Sequence, residues 1–277
     1  MTSVADVRPR AALADGTEHR PLFAFARHAM AIGGADLRKL RRDPTDLLTR
    51  AIQPMLWFVV FGQVFSRTRA IPTGSLSYLE FIAPGVLAQS VLFAAIFYGI
   101  AVIWERDLGI VHKLLVSPAS RAALVAGKAL GAGVRGLVQG CLVVFIALVM
   151  GVRVRMDPIG LIGVSGGVFL GSALFATFSL VVACLVKTRE RFMGIGQVLT
   201  MPLFFASNAI YPISMMPGWL RVIARANPLT YLVDALRALL IVGAASADGV
   251  WMDFVVMAVI FTLLVGLAAK LYPGLAR

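Results

Sequence analysis

A serine flanked by glycines has the spacing of a catalytic group in this sequence. Residues 163–167 read GVSGG, which fits the GxSxG pattern of a nucleophile elbow around Ser165. Such a serine attacks an acyl carbon only when a base lies within hydrogen-bond reach to take its proton. The three histidines, His19, His28 and His112, all fall in segments that the charge pattern below places in the cytoplasm. Ser165 is predicted near the outer end of its helix, so the base is missing and a packing role is expected.

The same serine also resembles the GxSG motif of the rhomboid intramembrane proteases, which cross the membrane six times. In that family the serine lies on the fourth span and a histidine lies on the sixth. The last apolar segment of this sequence, 250–272, contains no histidine. A rhomboid-like serine protease is therefore a disfavoured alternative.

Two glycine-rich stretches approach nucleotide-binding patterns. Residues 131–136 read GAGVRG and match GxGxxG, but they follow no strand and begin an apolar helix, which favours small-residue helix packing. The phosphate loop GxxxxGK[ST] is not formed, because Ala122 replaces its first glycine and Ala129 follows Lys128. No cofactor is therefore expected on this chain, and ATP-driven work would require a separate ATPase subunit. Small residues at packing distance recur at Gly136, Gly140, Gly163, Gly167 and Gly171.

The composition indicates a membrane protein. Hydrophobic residues make up 59% of the sequence and charged residues only 14%, against about 25% charged residues in soluble domains. The net charge of +12 comes from basic residues between and before long apolar runs, as the positive-inside rule describes, so nucleic-acid binding is not expected. Cys141 and Cys184 both fall inside apolar runs and are expected to be buried, with neither a disulfide nor a metal site.

Six segments are long and apolar enough to span a bilayer, so the predicted fold is an all-α polytopic membrane protein. The first segment is short and contains Gln53 and Pro54. A further apolar stretch, 213–245, is interrupted by prolines and charges, and re-entrant helices before the last span fit it better. A polar tail over residues 1–20 precedes a single transmembrane domain over residues 21–277. The predicted spans are 51–66, 80–103, 130–151, 159–186, 192–212 and 250–272.

The basic residues set the predicted orientation. With six spans and no early apolar signal segment, both termini are predicted to be cytoplasmic. An amphipathic stretch over residues 22–40 is predicted to lie along the inner leaflet, followed by Asp43 as a helix N-cap and Pro44 at the first helical position. The inner segments then contain Arg38, Lys39, Arg41, Arg42, Arg50, Arg106, Lys113, Arg121, Lys187, Arg189 and Arg191, and the outer loops contain Arg67, Arg69, Arg153, Arg155, Arg221, Arg225 and Arg237.

The predicted spans have almost no ionisable residues at their centres. Glu80 and Asp253 fall near span ends, and Lys128 and Arg135 are expected to snorkel towards the inner surface. Ion-coupled transporters keep carboxylates or histidines at membrane depth as relays. An ion-coupled carrier is therefore a second disfavoured alternative.

Residues 104–121 read WERDLGIVHKLLVSPASR and resemble the cytoplasmic coupling segment of the type-2 ABC exporter permeases. The family pattern is roughly E-R-E-x-G-T followed by L-L-x-S-P-x-S-R, and this sequence departs from it at Asp107 and Ile110. Val111 and the leucines of the segment form an apolar stripe at helical spacing, which favours a helix that docks into a groove of another protein. The predicted coupling residues are Glu105, Arg106, Asp107, Leu108, Gly109, Leu114 and Leu115.

Residues 227–237 read NPLTYLVDALR and resemble the NP-x-T-Y-x-x-D-A-x-R motif that precedes the last span in the same family. Asn227 suits an N-cap and Pro228 suits the first helical position, so a helix is predicted to begin here. Asp234 and Arg237 are spaced i,i+3 and are expected to pair. The helix is predicted to dip into the outer leaflet and to help form an outer gate. The residues assigned to this gate are Asn227, Pro228, Tyr231, Asp234 and Arg237.

The ordered set of motifs is most similar to the daunorubicin-resistance branch of drug and lipid exporters. That resemblance implies the membrane-spanning subunit of an ATP-driven exporter in a bacterial cell membrane, moving a drug, lipid or glycolipid out of the cytoplasm or inner leaflet. It also implies two cytoplasmic ATPase subunits that bind ATP and Mg, a second permease, identical or paralogous, and contact with membrane lipid. Aromatic residues and methionine suit a large amphiphile, but they suit lipid-facing positions or core packing equally well. On this basis the candidate substrate surface lies on the second and fifth spans, at Phe93, Phe97, Met201, Phe204, Phe205 and Asn208.

Overall fold

The computed structural model describes residues 21–42, 45–68, 71, 73–74, 76–116, 119–186 and 188–276. Within these residues the chain is built of α-helices, with two short 3-10 helices and an isolated β-bridge between Val154 and Ile241. The predicted all-α polytopic fold is confirmed. The helices are α1 (Pro21–Arg42), α2 (Thr45–Thr68), α3 (Tyr78–Asp107), α4 (Ile110–Val116), α5 (Arg121–Val149), α6 (Pro158–Leu185), α7 (Arg189–Phe205), α8 (Gly218–Ala226), α9 (Pro228–Leu240) and α10 (Val250–Leu271), and the 3-10 helices are Ile213–Met215 and Tyr272–Ala276.

Four of the described helices, α3, α5, α6 and α10, are long and apolar enough to cross a membrane. The first predicted span, 51–66, coincides with a shorter apolar segment of α2, Ile52–Phe65. The predicted polar tail over residues 1–20 and the predicted N-cap at Asp43 lie outside the described residues. The four long helices overlap the predicted spans 80–103, 130–151, 159–186 and 250–272.

The fifth predicted span, 192–212, differs from the structure because α7 ends at Phe205. The side-chain amide of Asn227 donates to two carbonyls at this helix end, Leu203 O at 2.6 Å and Ala206 O at 3.1 Å. The last carbonyls of a helix need partners from outside it, and here a distant side chain supplies them. The chain after α7 is therefore free to leave the helical path.

Small residues allow the central helices to approach closely. Ser179 Oγ of α6 donates to Ile96 O of α3 at 2.6 Å and accepts from Gly99 N at 3.1 Å. A Cβ on Gly99 would overlap this serine. Near the start of α3, the backbone of Ala209 occupies the place that a Cβ on Gly85 would take. Both glycines thus make room for a neighbouring segment.

The glycines of α6 face α9, in agreement with the predicted packing role. A Cβ on Gly163 or Gly171 would come within about 3 Å of a leucine side chain on α9, and one on Gly167 would lie 3.4 Å from another. On α5, a Cβ on Gly136 would overlap Ser172 of α6. The three leucines of α9 that meet the α6 glycines are Leu239, Leu236 and Leu232.

Ser165 and Cys141 line an apolar crevice of about 110 Å³ between α5 and α6. No histidine is found among the described residues around it.

Cys141 is exposed and Cys184 is half-buried, so the expectation of burial is wrong for Cys141. Cys141 lies on the outer surface of α5, and an apolar run does not distinguish a side chain facing lipid from one facing the core. Within the described part of the chain, no three His, Cys, Asp or Glu residues are placed to hold a metal ion.

An alanine at position 85 tests the close approach of the chain to α3. We expect Gly85→Ala to lower the free energy of unfolding by about 1–3 kcal/mol, because backbone atoms of Ala209 stand in the way and cannot rotate aside. Gly166→Ala on α6 is the matched control, since a Cβ there meets only the Phe254 ring, at 3.7 Å. Thermal unfolding of both variants in lipid nanodiscs makes the comparison. Equal unfolding midpoints would show that the approach at Gly85 is not tight.

Candidate functional site

The predicted coupling segment bends between two helices. Residues 105–107 lie on the last turn of α3, which runs to Asp107. Gly109 then adopts a φ of 72°, a left-handed conformation that favours glycine, and the chain turns into α4. Residues 117–118, at the end of the segment, lie outside the described residues.

The predicted apolar stripe of the coupling segment divides into two parts. Val111 is fully buried against the core of this chain, and Leu114 and Leu115 are half-buried. Leu108 and Val116 are 69% and 87% exposed. The apolar surface that a docking partner can reach is therefore narrower than the sequence predicts, and docking itself stays a prediction.

A buried ion pair joins the coupling segment to α5. Glu105 Oε2 and Lys128 Nζ are 2.5 Å apart, and Lys128 is only 3% exposed. The expectation that Lys128 snorkels to the surface is therefore wrong. The ring of Tyr98 lies 5.8 Å from Lys128 Nζ and 5.5 Å from Cζ of Arg135. A carboxylate and an aromatic face together offset the loss of hydration that burying a lysine costs.

A second charged contact joins the end of α3 to the start of α7. Arg189 Nε and Nη2 both donate to Oδ2 of Asp107, at 3.0 and 2.6 Å. Arg106 donates to the other carboxylate oxygen of Asp107 from Nε and Nη2, at 3.1 and 3.0 Å. The guanidinium of Arg189 lies 4.2 Å over the ring of Trp104. Sequence reasoning missed this contact, because nothing local indicates that residues 82 positions apart meet.

The helix of the second motif begins where the sequence predicts. Asn227 is the N-cap of α9 and Pro228 is its first residue. Asn227 Oδ1 accepts from Leu229 N at 3.0 Å, while its amide nitrogen binds the end of α7. The hydroxyl of Tyr231 donates to Arg225 O of α8 at 2.7 Å. One asparagine thus starts α9 and terminates α7.

A polar network is buried on α9. Asp234 Oδ1 accepts from Arg237 Nη1 at 3.3 Å and from Asn208 Nδ2 at 2.6 Å. Arg237 Nη2 donates to the carbonyls of Asn208 at 2.7 Å and Phe81 at 3.4 Å, and its guanidinium lies 4.1 Å over the Phe81 ring. Asp234 and Arg237 are 8% and 7% exposed, so the predicted pair is almost entirely desolvated. The network joins α3, α9 and the chain that follows α7.

Most of α9 is enclosed by this chain. Its leucine face and its Thr230 face are both buried, with α3, α6 and α10 packed against the helix. The helix therefore contacts protein over most of its length, and its role in an outer gate stays a prediction. Asn208, expected on the substrate surface, belongs to the buried network instead.

The loop between α5 and α6 is fastened to the start of α3 and to the end of α9. Glu80 closes a capping box with Ser77 and accepts from Arg153 Nε at 2.7 Å. This hydrogen bond raises the pKa of Arg153 above its usual range. Arg155 N donates to Leu240 O at 2.7 Å. The Ser-x-x-Glu spacing of the capping box is visible in the sequence, whereas the arginine that reaches it is not.

A cavity of about 180 Å³ lies between α2, α3 and α7. Three of the residues predicted for the substrate surface line it, namely Phe93, Phe97 and Met201. Phe204 is buried and Phe205 is 39% exposed, and neither lines the cavity. None of the described residues that line it carries a charge. The lining residues that sequence reasoning missed are Gln53, Ile96, Ile100, Phe192, Met193, Gly196, Gln197 and Thr200.

Aromatic rings continue from the cavity along α2. The rings of Trp57 and Phe61 stack with centroids 4.6 Å apart, and Phe65 follows 5.7 Å from Phe61. Tyr78 of α3 lies 5.4 Å from Phe65, and Phe205 of α7 lies 6.2 Å from Trp57. We call these five residues the aromatic row. Its members on α2 recur every four residues and so share one helix face, a signal that is present in the sequence.

Single alanine substitutions in the buried network test whether Asp234 and Arg237 stabilise each other's buried charge. We expect Asp234→Ala and Arg237→Ala each to lower the free energy of unfolding by about 3–5 kcal/mol, because each leaves a buried charge without its partner. The double variant should lose less than the sum of the two single losses. Arg225→Ala on α8 is the control, because that side chain is exposed. If both single variants have the unfolding midpoint of the wild type in nanodiscs, neither charge needs the other for stability.

Comparison with known proteins identifies the family. The model of the family described as ABC-2 type transporter matches residues 28–241. The chain is 30% identical to the transport permease ycf38 of Cyanophora paradoxa, over 73% of this chain and 70% of that protein. It is 29% identical to the daunorubicin resistance ABC transporter permease protein DrrB1 of Streptomyces coeruleorubidus, over 71% and 69% of the two chains. It is 25% identical to the inner membrane transport permease YadH of Escherichia coli strain K12, over 69% and 73%. Because the family match covers more than half of its length, the chain belongs to the ABC-2 type transporter family.

Proposed function

We propose that this chain, the permease subunit of an ABC exporter, moves a hydrophobic or amphiphilic molecule through the cavity between α2, α3 and α7. The observation that carries the proposal is that this cavity lacks charged residues among its described lining and adjoins the aromatic row. Gln53 in the cavity and Trp57 in the row are one helical turn apart on α2. An apolar molecule can therefore pass from one to the other without meeting a buried charge.

The size of the cavity limits the part of a substrate that it seats. Its volume of about 180 Å³ is close to the roughly 150 Å³ apolar cavity that holds benzene, and below the roughly 300–1,000 Å³ of drug-sized sites. A ring or a segment of acyl chain from a larger amphiphile therefore fits. An ionic group would lose its hydration there without a charged partner, whereas Gln197 offers hydrogen bonds to a neutral polar group. The relative DrrB1 is named for daunorubicin resistance, which supports a drug among the candidates beside lipid and glycolipid.

The ATPase partner of this permease is proposed to dock on α4 and on Leu108 just before it. Leu108 and Val116 offer exposed apolar surface for that contact. In the proposed assembly, two ATPase subunits bind ATP and Mg beneath two permeases, identical or paralogous. The apolar face of α2 that includes Ile52, Leu56 and Val60 is exposed and is available to lipid or to the second permease.

The proposed location is a bacterial inner membrane, with both termini in the cytoplasm. The relative YadH is named as an inner membrane permease, and the distribution of basic residues supports the orientation. The family relation favours neither an intramembrane protease nor an ion-coupled carrier. Around Ser165 the described crevice also lacks a histidine to act as base.

Filling the cavity tests the proposed function. Gly196 lines the cavity, and a Cβ on it would lie 3.3 Å from Ile96. We expect Gly196→Val to reduce ATP-dependent accumulation of N-phenyl-1-naphthylamine, a neutral aromatic dye, about tenfold, the loss expected from roughly 1.4 kcal/mol of binding free energy. The measurement uses inside-out vesicles that contain the permease and its ATPase. Gly194→Val is the matched control, since it adds the same side chain to the same helix where nothing lies within 4 Å. Equal accumulation by the two variants would contradict the cavity as the site.

Charges on the exposed apolar residues of segment 108–116 test the docking. We expect the double variant Leu108→Asp/Val116→Asp to insert normally but to lose the ATPase subunit, because burying two unpaired carboxylates at an interface costs several kcal/mol. His112→Asp is the control, because it adds a carboxylate to an exposed polar position of the same segment. Recovery of the ATPase with the affinity-tagged permease measures the contact. Full recovery with the double variant would exclude this surface as the dock.

A further inference from the structure

We propose that Trp104, Asp107 and Arg189 form a clamp that carries movement of the coupling segment to the cavity face of α7. This inference rests on the proposed function, because it links the ATPase dock to the proposed substrate cavity. We call these three residues the α3–α7 clamp. In this clamp Arg189, which lies outside both sequence motifs, has a positioning role.

The clamp holds the guanidinium of Arg189 through two contacts. Its Nε and Nη2 both donate to one oxygen of Asp107, at 3.0 and 2.6 Å. The centroid of the Trp104 ring lies 4.2 Å from Cζ of Arg189, so the guanidinium also makes a cation–π contact. Arginine is suited to this arrangement because its planar group combines directed donors with an aromatic contact.

The clamp connects helix ends. Asp107 is the last residue of α3 and Arg189 is the first residue of α7. The bend at Gly109 separates Asp107 from α4 by two residues. A force applied to α4 by a docked partner therefore reaches the clamp before it reaches any other part of α7.

A packed contact beneath the clamp makes the connection rigid. Phe192 is 1% exposed and fills the place that a Cβ on Gly99 of α3 would take. It packs in a buried cluster with Ile103 of α3 and Val186, just before α7. The base of α7 is thus attached to α3 through both an apolar contact and the clamp. Close-packed contacts transmit displacement because they cannot be compressed.

The helix held by the clamp presents its side chains to the cavity. Met193, Gln197 and Met201 recur every four residues on α7 and all line the cavity. At its other end, α7 is held by the amide of Asn227. Because one end is fixed to α9, a displacement at Arg189 tilts α7 and so changes the width of the cavity.

The two carboxylates of the coupling segment have different tasks in this arrangement. Glu105 is half-buried and binds the buried Lys128 of α5, whereas Asp107 is exposed and binds Arg189 of α7. An exposed ion pair contributes little to folding, so the clamp can be removed without unfolding the chain. Its expected effect is therefore on coupling between ATP hydrolysis and transport.

The experiment measures how accessible the cavity is to a thiol reagent. Met193→Cys, in a chain with Cys141→Ala and Cys184→Ala, is labelled with a thiol reagent in the reconstituted permease–ATPase complex. We expect trapping with ATP and vanadate to change the labelling rate about fivefold or more when the clamp is intact, the lower range of coupling between distant sites. With Arg189→Ala that change should disappear while the ATPase remains bound, and Asp107→Asn should abolish the change as well. The reversed pair Asp107→Arg/Arg189→Asp should restore it at least in part.

Arg191→Ala is the matched control, since Arg191 is exposed and lies two residues further along α7. Loss of the labelling change in Arg189→Ala alone, with normal unfolding midpoints, supports the clamp. An equal labelling change in Arg189→Ala and wild type overturns it, and so does an equal loss in Arg191→Ala. Export of N-phenyl-1-naphthylamine is measured on the same vesicles. Absence of export with an intact labelling change would contradict the proposed function and leave the clamp supported.

Discussion

The burial of one guanidinium constrains the part of this protein where the start of α3, the end of α7 and α9 meet. Arg237 has almost no contact with solvent, so protein groups must balance its charge, and they accept hydrogen bonds from its two terminal nitrogens. Asp234 supplies the opposite charge from the same helix, and the carbonyl of Asn208 supplies the shortest acceptor. That carbonyl is available only because α7 has already ended. The end of α7, the enclosure of α9 and the absence of a side chain at Gly85 are consistent with the requirements of this one group.

The end of α3 is organised around charges of a different kind. It is fixed on one side by the pair of Glu105 and Lys128, and on the other side by Asp107 and Arg189. The cavity and the aromatic row have no ionised group among their described residues. These two sets of ion pairs are thus separate from the cavity. This separation suits the proposed transport of an apolar molecule with energy supplied by a partner chain.

The sequence predicted those features that depend on residues close together in the chain. The apolar runs predicted α3, α5, α6 and α10, and the pair Asn227 and Pro228 predicted the start of α9, because a cap and a fixed φ act within one helical turn. The sequence did not show that α7 stops at Phe205, since the amide that binds its end lies about twenty residues further on.

Contacts between residues that are far apart in the sequence were not predicted, for the same reason. Lys128 was expected to snorkel because of its position relative to the inner surface. The sequence does not show that Glu105, on another helix, lies close enough to bind it. Cys141 was expected in the core because hydropathy does not distinguish a lipid-facing position from a buried one. The cavity was predicted only in part. The sequence predicted Phe93, Phe97 and Met201. It did not predict Gln53, Ile96 or Met193, because the packing of α2, α3 and α7 decides which side chains share a cavity.

The small volume of the cavity has a consequence for selectivity. A site that seats a single ring or a short length of chain responds to the thickness of a molecule and not to its total length. Compounds with the same narrow core but different tails would then all fit the cavity, whereas a compact, bulky molecule of equal mass would not enter it. In the proposed exporter, the cross-section of the cargo is the property that is selected, and passage proceeds one narrow portion at a time.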